Sequence, residues 1–231
     1  MDKRDPPMTP LEGSDTWYES DGVEILNDSD LAMLIVRIGI ASNTMQAQQL
    51  AGIHAADKAR AIRINGLLSA MVASASFTAE ALKLAKHNKR TLSDLLAHIN
   101  VRDQVVADVD ALCAGRHPAS VVIDRVRNKL GFHWDSRSLR PSMLEYATNE
   151  RVVWLEFAQE DGQPYHRLAN EVLIHALLPT AGTLDTEDAQ RHIVETMELI
   201  GTAMNTITEY FAACVYAYFS RPGSTIVRRS L

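Results

Sequence analysis

Residues 186–222 read TEDAQRHIVETMELIGTAMNTITEYFAACVYAYFSRP, and this stretch decides the fold class. Its apolar residues recur at spacings of three and four, which is the pattern of one face of an α-helix: Leu199, Ala203, Ile207, Tyr210, Phe211, Cys214 and Tyr218. Thr186 is a suitable N-cap, and Glu187 and Asp188 follow it at the positive end of the helix dipole. Pro222-Gly223 ends the pattern. The stretch therefore predicts a long amphipathic helix.

The same periodicity predicts further helices upstream. One begins near Ser29, flanked by Asp28 and Asp30, and extends to about Leu50. The apolar stripe of this first helix comprises Leu31, Leu34, Ile35, Ile38 and Met45. An alanine-rich second helix covers 54–87, a third extends from Thr91 to about Ala114 before Gly115, and a fourth extends from Pro118 to about Gly131. A short helix is predicted over about 170–178.

Two segments break the helical pattern. Residues 151–157 are rich in β-branched and aromatic residues, and Asp161-Gly162 is a hairpin signal before a return strand over 163–168. Both a small hairpin insertion near 151–168 and the absence of one fit this pattern. Residues 1–22 are polar and contain three prolines, which predicts a flexible tail. The expected architecture is mainly all-α: a bundle of four to five long helices forming a single domain over 23–231.

Composition narrows the classes of protein. The 231 residues are 46% hydrophobic and 23% charged, as in ordinary globular proteins. Cys113 and Cys214 are too few for a disulfide framework. The N-terminal stretch lacks the apolar core of a signal peptide, and the apolar stretches 31–41 and 210–219 are too short to cross a bilayer. We therefore expect a cytoplasmic protein with no membrane association. No Walker, dinucleotide-binding, nucleophile-elbow or zincin motif occurs, and we expect no cofactor and no metal.

Charge is distributed unevenly along the chain. The formal net charge is −6, which argues against an indiscriminate nucleic-acid binder. Residues 116–140 carry six basic and two acidic residues, a local charge of +4, so the rest of the chain carries −10. A local basic patch of this kind can attract a phosphate at one place. A solvated charged helix face is the alternative interpretation.

The segment 124–135 reads DRVRNKLGFHWD and carries the motif with the most chemical content. Arg127 is followed directly by Asn128, and His133 comes after five intervening residues. This arrangement resembles the signature of the HEPN superfamily, and the Phe-His-Trp-Asp ending is similar to members associated with phage defence and toxin–antitoxin systems. The resemblance covers about seven residues. It implies a helical bundle that cleaves RNA as a homodimer, with a toxin or antiviral role and an antitoxin or regulatory protein as a further partner. Asp135 stands where members controlled by tyrosine modification carry tyrosine, so that control is not carried over.

The residue types suit metal-free cleavage of RNA. Histidine titrates near neutral pH, so His133 can act as general base or acid toward the 2′-hydroxyl. Arg127 offers a permanently charged planar fork that matches phosphate oxygens. Asn128 can orient the histidine or donate to the phosphate. Substrate-binding candidates beside these catalytic candidates are Arg125, Lys129 and Trp134.

Helix geometry sets a condition on this pair. On a regular helix, six residues rotate two side chains about 120° apart, so Arg127 and His133 do not share a face. Either Gly131 breaks the helix and brings His133 round, or two copies of the motif meet across a two-fold interface. The resemblance implies the second arrangement.

A structural role for the same residues is the competing interpretation. Arg127 then pairs with Asp124 or Asp135, and His133 donates to a backbone carbonyl at a helix end. The alternative function is a non-catalytic helical interaction module that binds a protein partner or a nucleotide.

Overall fold

The computed structural model describes residues 16–19, 29–56, 60–130, 140–141, 143–144, 157–160, 163–166, 172–173, 187–221 and 227–230. The predicted mainly α-helical fold is confirmed. The helices are α1 (Ser29–Ala56), α2 (Arg60–His87), α3 (Lys89–Leu96), α4 (Asp103–Cys113), α5 (Pro118–Leu130) and α6 (Glu187–Phe219). The strands are β1 (Thr16–Glu19), β2 (Phe157–Glu160), β3 (Gln163–His166) and β4 (Val227–Ser230).

Most helix boundaries lie close to the predicted ones. α6 begins directly after Thr186, and α5 begins at Pro118. α4 ends at Cys113, and Gly115 beyond it has a φ of +71°, a conformation that favours glycine. The Gly115 N–H donates to Leu112 O at 3.1 Å, and the Arg116 N–H donates to Ala111 O at 2.9 Å. This pair of bonds is a Schellman motif, which satisfies the last carbonyls of the helix.

The predicted third helix is wrong in one respect: it is two helices, α3 and α4. After Leu96 the hydrogen bonds span three residues, as in a 3₁₀ turn: the His98 N–H donates to Leu95 O and the Ile99 N–H donates to Leu96 O. Asn100, which follows, lies between the β-branched residues Ile99 and Val101, and all three have low helix propensity. Ile99 is buried, so burial of its side chain accompanies the break.

Strands pair in two places. β2 pairs antiparallel with β3, and Glu160 faces Gln163. Of the two alternatives for 151–168, the structure has the hairpin, with its first strand at 157–160; residues 151–156 lie outside the described residues. β1 pairs antiparallel with β4, and Trp17 faces Arg229. Neither terminal segment has a sequence pattern that predicted a strand.

The chain divides into two compact units: one comprises 1–44, 80–116 and 205–231, and the other comprises 45–79 and 117–204. Within the first unit, polar contacts connect several of the helices. Arg102 at the start of α4 forms a two-bond ion pair with Glu209 of α6, its Nε lying 2.8 Å from Oε1. Lys89 Nζ of α3 lies 2.7 Å from Asp110 Oδ1 of α4. Cys113 Sγ lies 3.7 Å from Leu82 O of α2. These ion pairs are exposed and stabilise the unit little, so its stability depends on its apolar core.

The core of the first unit is centred on α6. Ile207, Phe211 and Tyr218 are almost completely buried there, together with Ile38 of α1 and Leu92 of α3. The Tyr218 ring packs edge-on against Phe219, with 5.5 Å between the ring centroids. Arg221 stacks on the Tyr218 ring with its guanidinium carbon 3.8 Å from the centroid. Both the apolar spacing and the predicted helix face are confirmed here.

The second unit has a core of smaller side chains. Leu68, Met71 and Ala75 of α2 are buried, as are Ile123 of α5 and Ile200 of α6. Gly52 of α1 is also buried, and a Cβ at this position would lie 3.6 Å from the Ala70 Cβ and 3.4 Å from the Met197 Cε. Small residues thus let α1 approach α2 and α6 closely within this unit.

Within the described residues, one helix meets the length and hydropathy criteria for a membrane span. It is the 22-residue segment Gly66–His87 of α2, with a mean hydropathy of 1.3. This segment lies outside the two apolar stretches, 31–41 and 210–219, that were too short to cross a bilayer. Of this segment, 56% is buried inside the protein, as expected for a core helix.

The buried Cys214 thiol and Tyr210 hydroxyl predict that the protein loses stability at alkaline pH. Burial raises the pKa of the Cys214 thiol from its ordinary value of 9.0 to about 12, and burial also raises the pKa of Tyr210. Between about pH 9 and pH 12, the Cys214 thiol of the unfolded chain loses its proton, whereas the thiol of the folded chain keeps it. The contribution of Cys214 to stability is therefore fully present below about pH 9 and is lost as pH rises toward 12. We expect the thermal midpoint, followed by circular dichroism, to fall steadily across this window.

The matched variant for this prediction is Cys214→Ala, which removes the titrating thiol and little volume. Its midpoint should fall less steeply with pH than that of the wild type. An identical slope in the two proteins would show that Cys214 does not contribute to the alkaline loss.

Candidate functional site

α5 carries Arg127 and Asn128 of the predicted motif, and its start is fixed by the preceding residue, His117. The Ala119 N–H donates to His117 Nδ1 at 3.1 Å, and the Ser120 N–H donates to His117 O at 2.9 Å. His117 thus caps the helix with its side chain, as serine or aspartate usually does. Pro118 suits the first turn because it has no N–H to satisfy. The cap and the proline fix where α5 begins and hence which face each later residue occupies.

Burial along α5 follows the helical repeat. The buried positions are Ala119, Ser120, Ile123 and Val126, and the exposed ones include Val121, Asp124 and Arg125. Arg127 is half-buried. It lies four residues after Ile123 and seven after Ser120, so it extends the buried stripe along its edge. Arg127 also takes part in an interaction within the protein. The Arg127 side chain is therefore more enclosed than that of Arg125.

Arg125 and Arg127 do not lie on one face of the helix. Two residues on an α-helix are rotated by about 200°, so the two side chains leave α5 on nearly opposite sides. Arg127 has Asp124 as its neighbour one turn back, whereas the helix position of Lys129 lies on the same side as Arg125. The basic residues of segment 116–140 that belong to α5 therefore lie on more than one side of the helix.

The remaining predicted site residues lie at or beyond the end of this helix. Asn128 and Lys129 belong to the last turn of α5, which continues as an α-helix to Leu130. His133 and Trp134 lie outside the described residues. The structure therefore places Arg127, Asn128 and Lys129 at the C-terminal end of one regular helix, and Arg125 just before them.

The described residues offer no clustered metal ligands. Within those ranges, no group of three histidine, cysteine, aspartate or glutamate side chains could hold a metal ion. His192 is half-buried on α6, and Glu195 one turn later is exposed.

The first unit also contains a group of potentially reactive side chains, two thiols and one phenol, for which the sequence predicted no role. Cys113 is half-buried at the end of α4, and Cys214 and Tyr210 are buried on α6. Burial is the main cause that raises the pKa of Cys113, with a further contribution from Asp110. Both thiols are therefore held protonated near neutral pH, which is the opposite of what a nucleophilic cysteine requires.

Comparison with known proteins gave no relative: no family model, no curated protein and no solved structure matches this chain.

Proposed function

We propose that this protein is a metal-independent endoribonuclease of the HEPN type. The observation that carries the proposal is the placement of Arg127. It is half-buried at the edge of the buried face of α5 and directly precedes Asn128 in the last turn of that helix. His133 follows in the sequence after five intervening residues.

Partial burial suits an arginine that stabilises a phosphate. An enclosed guanidinium has fewer rotamers and less water around it than an exposed one, so its charge acts more strongly on a bound anion. Arg125 and Asp124, its exposed neighbours, lack this enclosure. Among the described basic residues of the motif segment, Arg127 is thus the one that α5 holds in a restricted position.

The proposed reaction is an internal displacement at phosphorus. His133 of one motif accepts the proton of the 2′-hydroxyl, and the 2′-oxygen forms a bond to the phosphorus. The bond from phosphorus to the 5′-oxygen breaks, and that oxygen takes up a proton from a histidine acting as general acid. Arg127 stabilises the charge that develops on the phosphate oxygens, and Asn128 supports the pair. The products carry a 2′,3′-cyclic phosphate, or a 3′-phosphate after hydrolysis, and a 5′-hydroxyl.

The proposal includes two copies of the chain and a cytoplasmic RNA substrate. A homodimer supplies two histidines and two arginines to one cleft, which fits a reaction that needs both a base and an acid. Arg125, Lys129 and Trp134 contact the RNA away from the scissile phosphate, since Arg125 and the helix position of Lys129 lie on the side of α5 opposite to Arg127. A toxin or antiviral role, with an antitoxin or regulatory protein as partner, is the biological setting that this activity suits.

The charge of the protein favours a second candidate function. Outside residues 116–140 the chain carries a net charge of −10, which repels a long RNA away from the motif. A non-catalytic helical module that binds a protein partner or a nucleotide is free of this cost. In that case Arg127 binds a ligand or stabilises the fold, and no RNA bond is cleaved.

The test is an RNA cleavage assay in EDTA. Purified protein is incubated with a mixed RNA pool, and the cleaved ends are mapped by ligation that depends on their chemistry. We expect 5′-hydroxyl and cyclic phosphate ends, and we expect no cleavage of a matched RNA with one 2′-deoxy residue at the mapped site. Cleavage that needs Mg²⁺, or that leaves 5′-phosphates, would contradict the mechanism. Intact RNA throughout would favour the binding module.

A further inference from the structure

The junction between α2 and α3 carries a dense group of basic residues. Residues 83–90 read KLAKHNKR and contain four lysine or arginine residues and no acidic one. The formal net charge is −6, so apart from the +4 of residues 116–140 and the +4 of residues 83–90 the chain carries −14. Lys83 is neutralised by Glu80 one turn earlier, whose Oε1 lies 2.8 Å from its Nζ. A concentration of positive charge at 86–90 therefore lies outside the proposed active site.

Helix packing turns the basic side chains of this junction outward. Leu84 and Ala85 near the end of α2 are buried, and so is Leu92 in α3. These apolar residues fix the rotation of the two helices within the first unit. The basic residues between them are all exposed: Lys86, His87, Lys89 and Arg90. Their side chains are therefore accessible to a ligand from solution.

Two cations of the junction, Lys86 and Arg90, have no ion-pair partner among the residues that the structure describes. Lys89 does have one, since its Nζ lies 2.7 Å from Asp110 Oδ1 of α4. Burial and Asp110 raise the pKa of the Cys113 thiol, and the charges of Lys86 and Lys89 both oppose this rise. The lysine at the end of α2 and the lysine at the start of α3 thus lie near the same point, beside the end of α4.

The start of α3 is an unfavourable place for cations. The positive end of a helix dipole favours acidic residues, but the first turn of α3 has none and contains Lys89 and Arg90. Asn88, at the N-cap position, donates its side-chain amide to Leu84 O at 2.8 Å and leaves α3 without a side-chain cap. The first acidic residue of the helix is Asp94, in its second turn. A bound anion offsets the repulsion that this arrangement creates.

We propose that the exposed basic surface formed by Lys86, His87, Lys89 and Arg90 binds the phosphate backbone of single-stranded RNA. This inference rests on the proposed function, which makes RNA the polyanion that the protein meets. The surface belongs to the first unit, whereas Arg127 belongs to the second, so it is a binding site additional to the site of cleavage. Cations spread over the ends of two helices suit successive phosphates of a chain better than one isolated anion. Because phosphate contacts do not read bases, we expect little sequence preference.

The test is fluorescence anisotropy of the full chain with a labelled RNA of mixed sequence. The RNA carries 2′-O-methyl riboses, so attack by a 2′-hydroxyl is impossible and binding is measured without cleavage. Lys86→Ala/Arg90→Ala removes the two cations that lack an ion-pair partner. Each phosphate contact to a single strand contributes about 0.7 to the slope of log affinity against log salt. We therefore expect this slope to fall by about 1.4 and the affinity at about 0.1 M salt to fall roughly tenfold.

The control is Arg37→Ala/Arg191→Ala, which removes two exposed arginines of α1 and α6 and changes the net charge equally. It should bind RNA like the wild type, and circular dichroism shows that each variant is folded. A wild type that does not bind RNA would overturn the proposal. So would equal losses in both double variants, because net charge and not this surface then governs binding. Poly-glutamate bound as tightly as RNA would also overturn it and would assign the surface to acidic protein segments.

The outcomes for this surface and for the nuclease are distinguishable. If RNA binding depends on Lys86 and Arg90 but the wild type leaves RNA intact in EDTA, the surface is supported and the proposed cleavage is contradicted. If the wild type cleaves RNA in EDTA and Lys86→Ala/Arg90→Ala binds RNA with unchanged affinity and salt dependence, the nuclease is supported and the surface is contradicted.

Discussion

Replacing Arg127 with alanine is expected to reduce the rate of RNA cleavage at least about 100-fold, the usual effect of removing one group that stabilises developing charge. The enclosed position of Arg127 on α5 is the reason for an effect this large, since the exposed Arg125 leaves the helix on nearly the opposite side and is not placed to replace it. His133→Ala is expected to reduce the rate by a similar or larger factor, because it removes the proton carrier. Cleavage of a defined RNA in EDTA, at saturating substrate, measures both effects.

Two further variants make this result specific. Arg127→Lys keeps the charge and loses the planar fork, so its rate should lie between those of the wild type and Arg127→Ala. Arg37→Ala removes an exposed arginine of α1 and should cleave like the wild type. Because Arg127 is half-buried, each variant is compared by its unfolding midpoint. If folded Arg127→Ala and His133→Ala both cleave like the wild type, the motif is not the active site.

Replacing Phe211 with alanine is expected to reduce the free energy of unfolding by about 3–5 kcal/mol, the range measured for large cavities in protein cores. Phe211 has no exposed surface, and it lies in the core of the first unit on α6. Its ring centroid lies 6.2 Å from that of Tyr210, which is also buried. A loss of this size is a large part of the total stability of an ordinary domain. Urea denaturation followed by circular dichroism measures it.

The control for this prediction lies on the same helix. Val194 is 52% exposed, so Val194→Ala removes little buried surface and introduces a better helix former. Its stability should change by less than about 0.5 kcal/mol. Phe211→Leu keeps most of the volume and should cost less than Phe211→Ala. If Phe211→Ala were as stable as Val194→Ala, α6 would not form the core of its unit.

The two predictions concern regions that the sequence revealed to different degrees. The spacing of Ile207, Phe211 and Tyr218 predicted a buried helix face, and all three are buried. For the site, the residue types and their order could be read from the sequence. It did not show that Arg127 is half-buried while Arg125 is exposed, because that difference depends on how α5 packs.

Local signals predicted the helix limits wherever a strong capping residue was present. Pro118 and Gly115 act through backbone groups close to them in the chain, so their effect can be predicted from the sequence alone. The break between α3 and α4 had no such signal. The apolar spacing continues across the break through Ile99, so the sequence pattern did not reveal it. The weak helix propensity around Asn100 allows the helix to end there, and the side chain of Ile99 is buried at the break.

The amino-acid sequence by itself determined the helical class, most helix limits, the buried face of α6 and the motif of Arg127, Asn128 and His133. Each of these depends on interactions between residues close together in the chain. The tertiary structure set the pairing of Thr16–Glu19 with Val227–Ser230, the exposure of the apolar residues Met33, Val36 and Ile40 of α1, and the enclosure of Arg127. These depend on contacts between distant segments, whose free energy is gained only when the whole chain folds and which therefore leave no periodic pattern in the sequence.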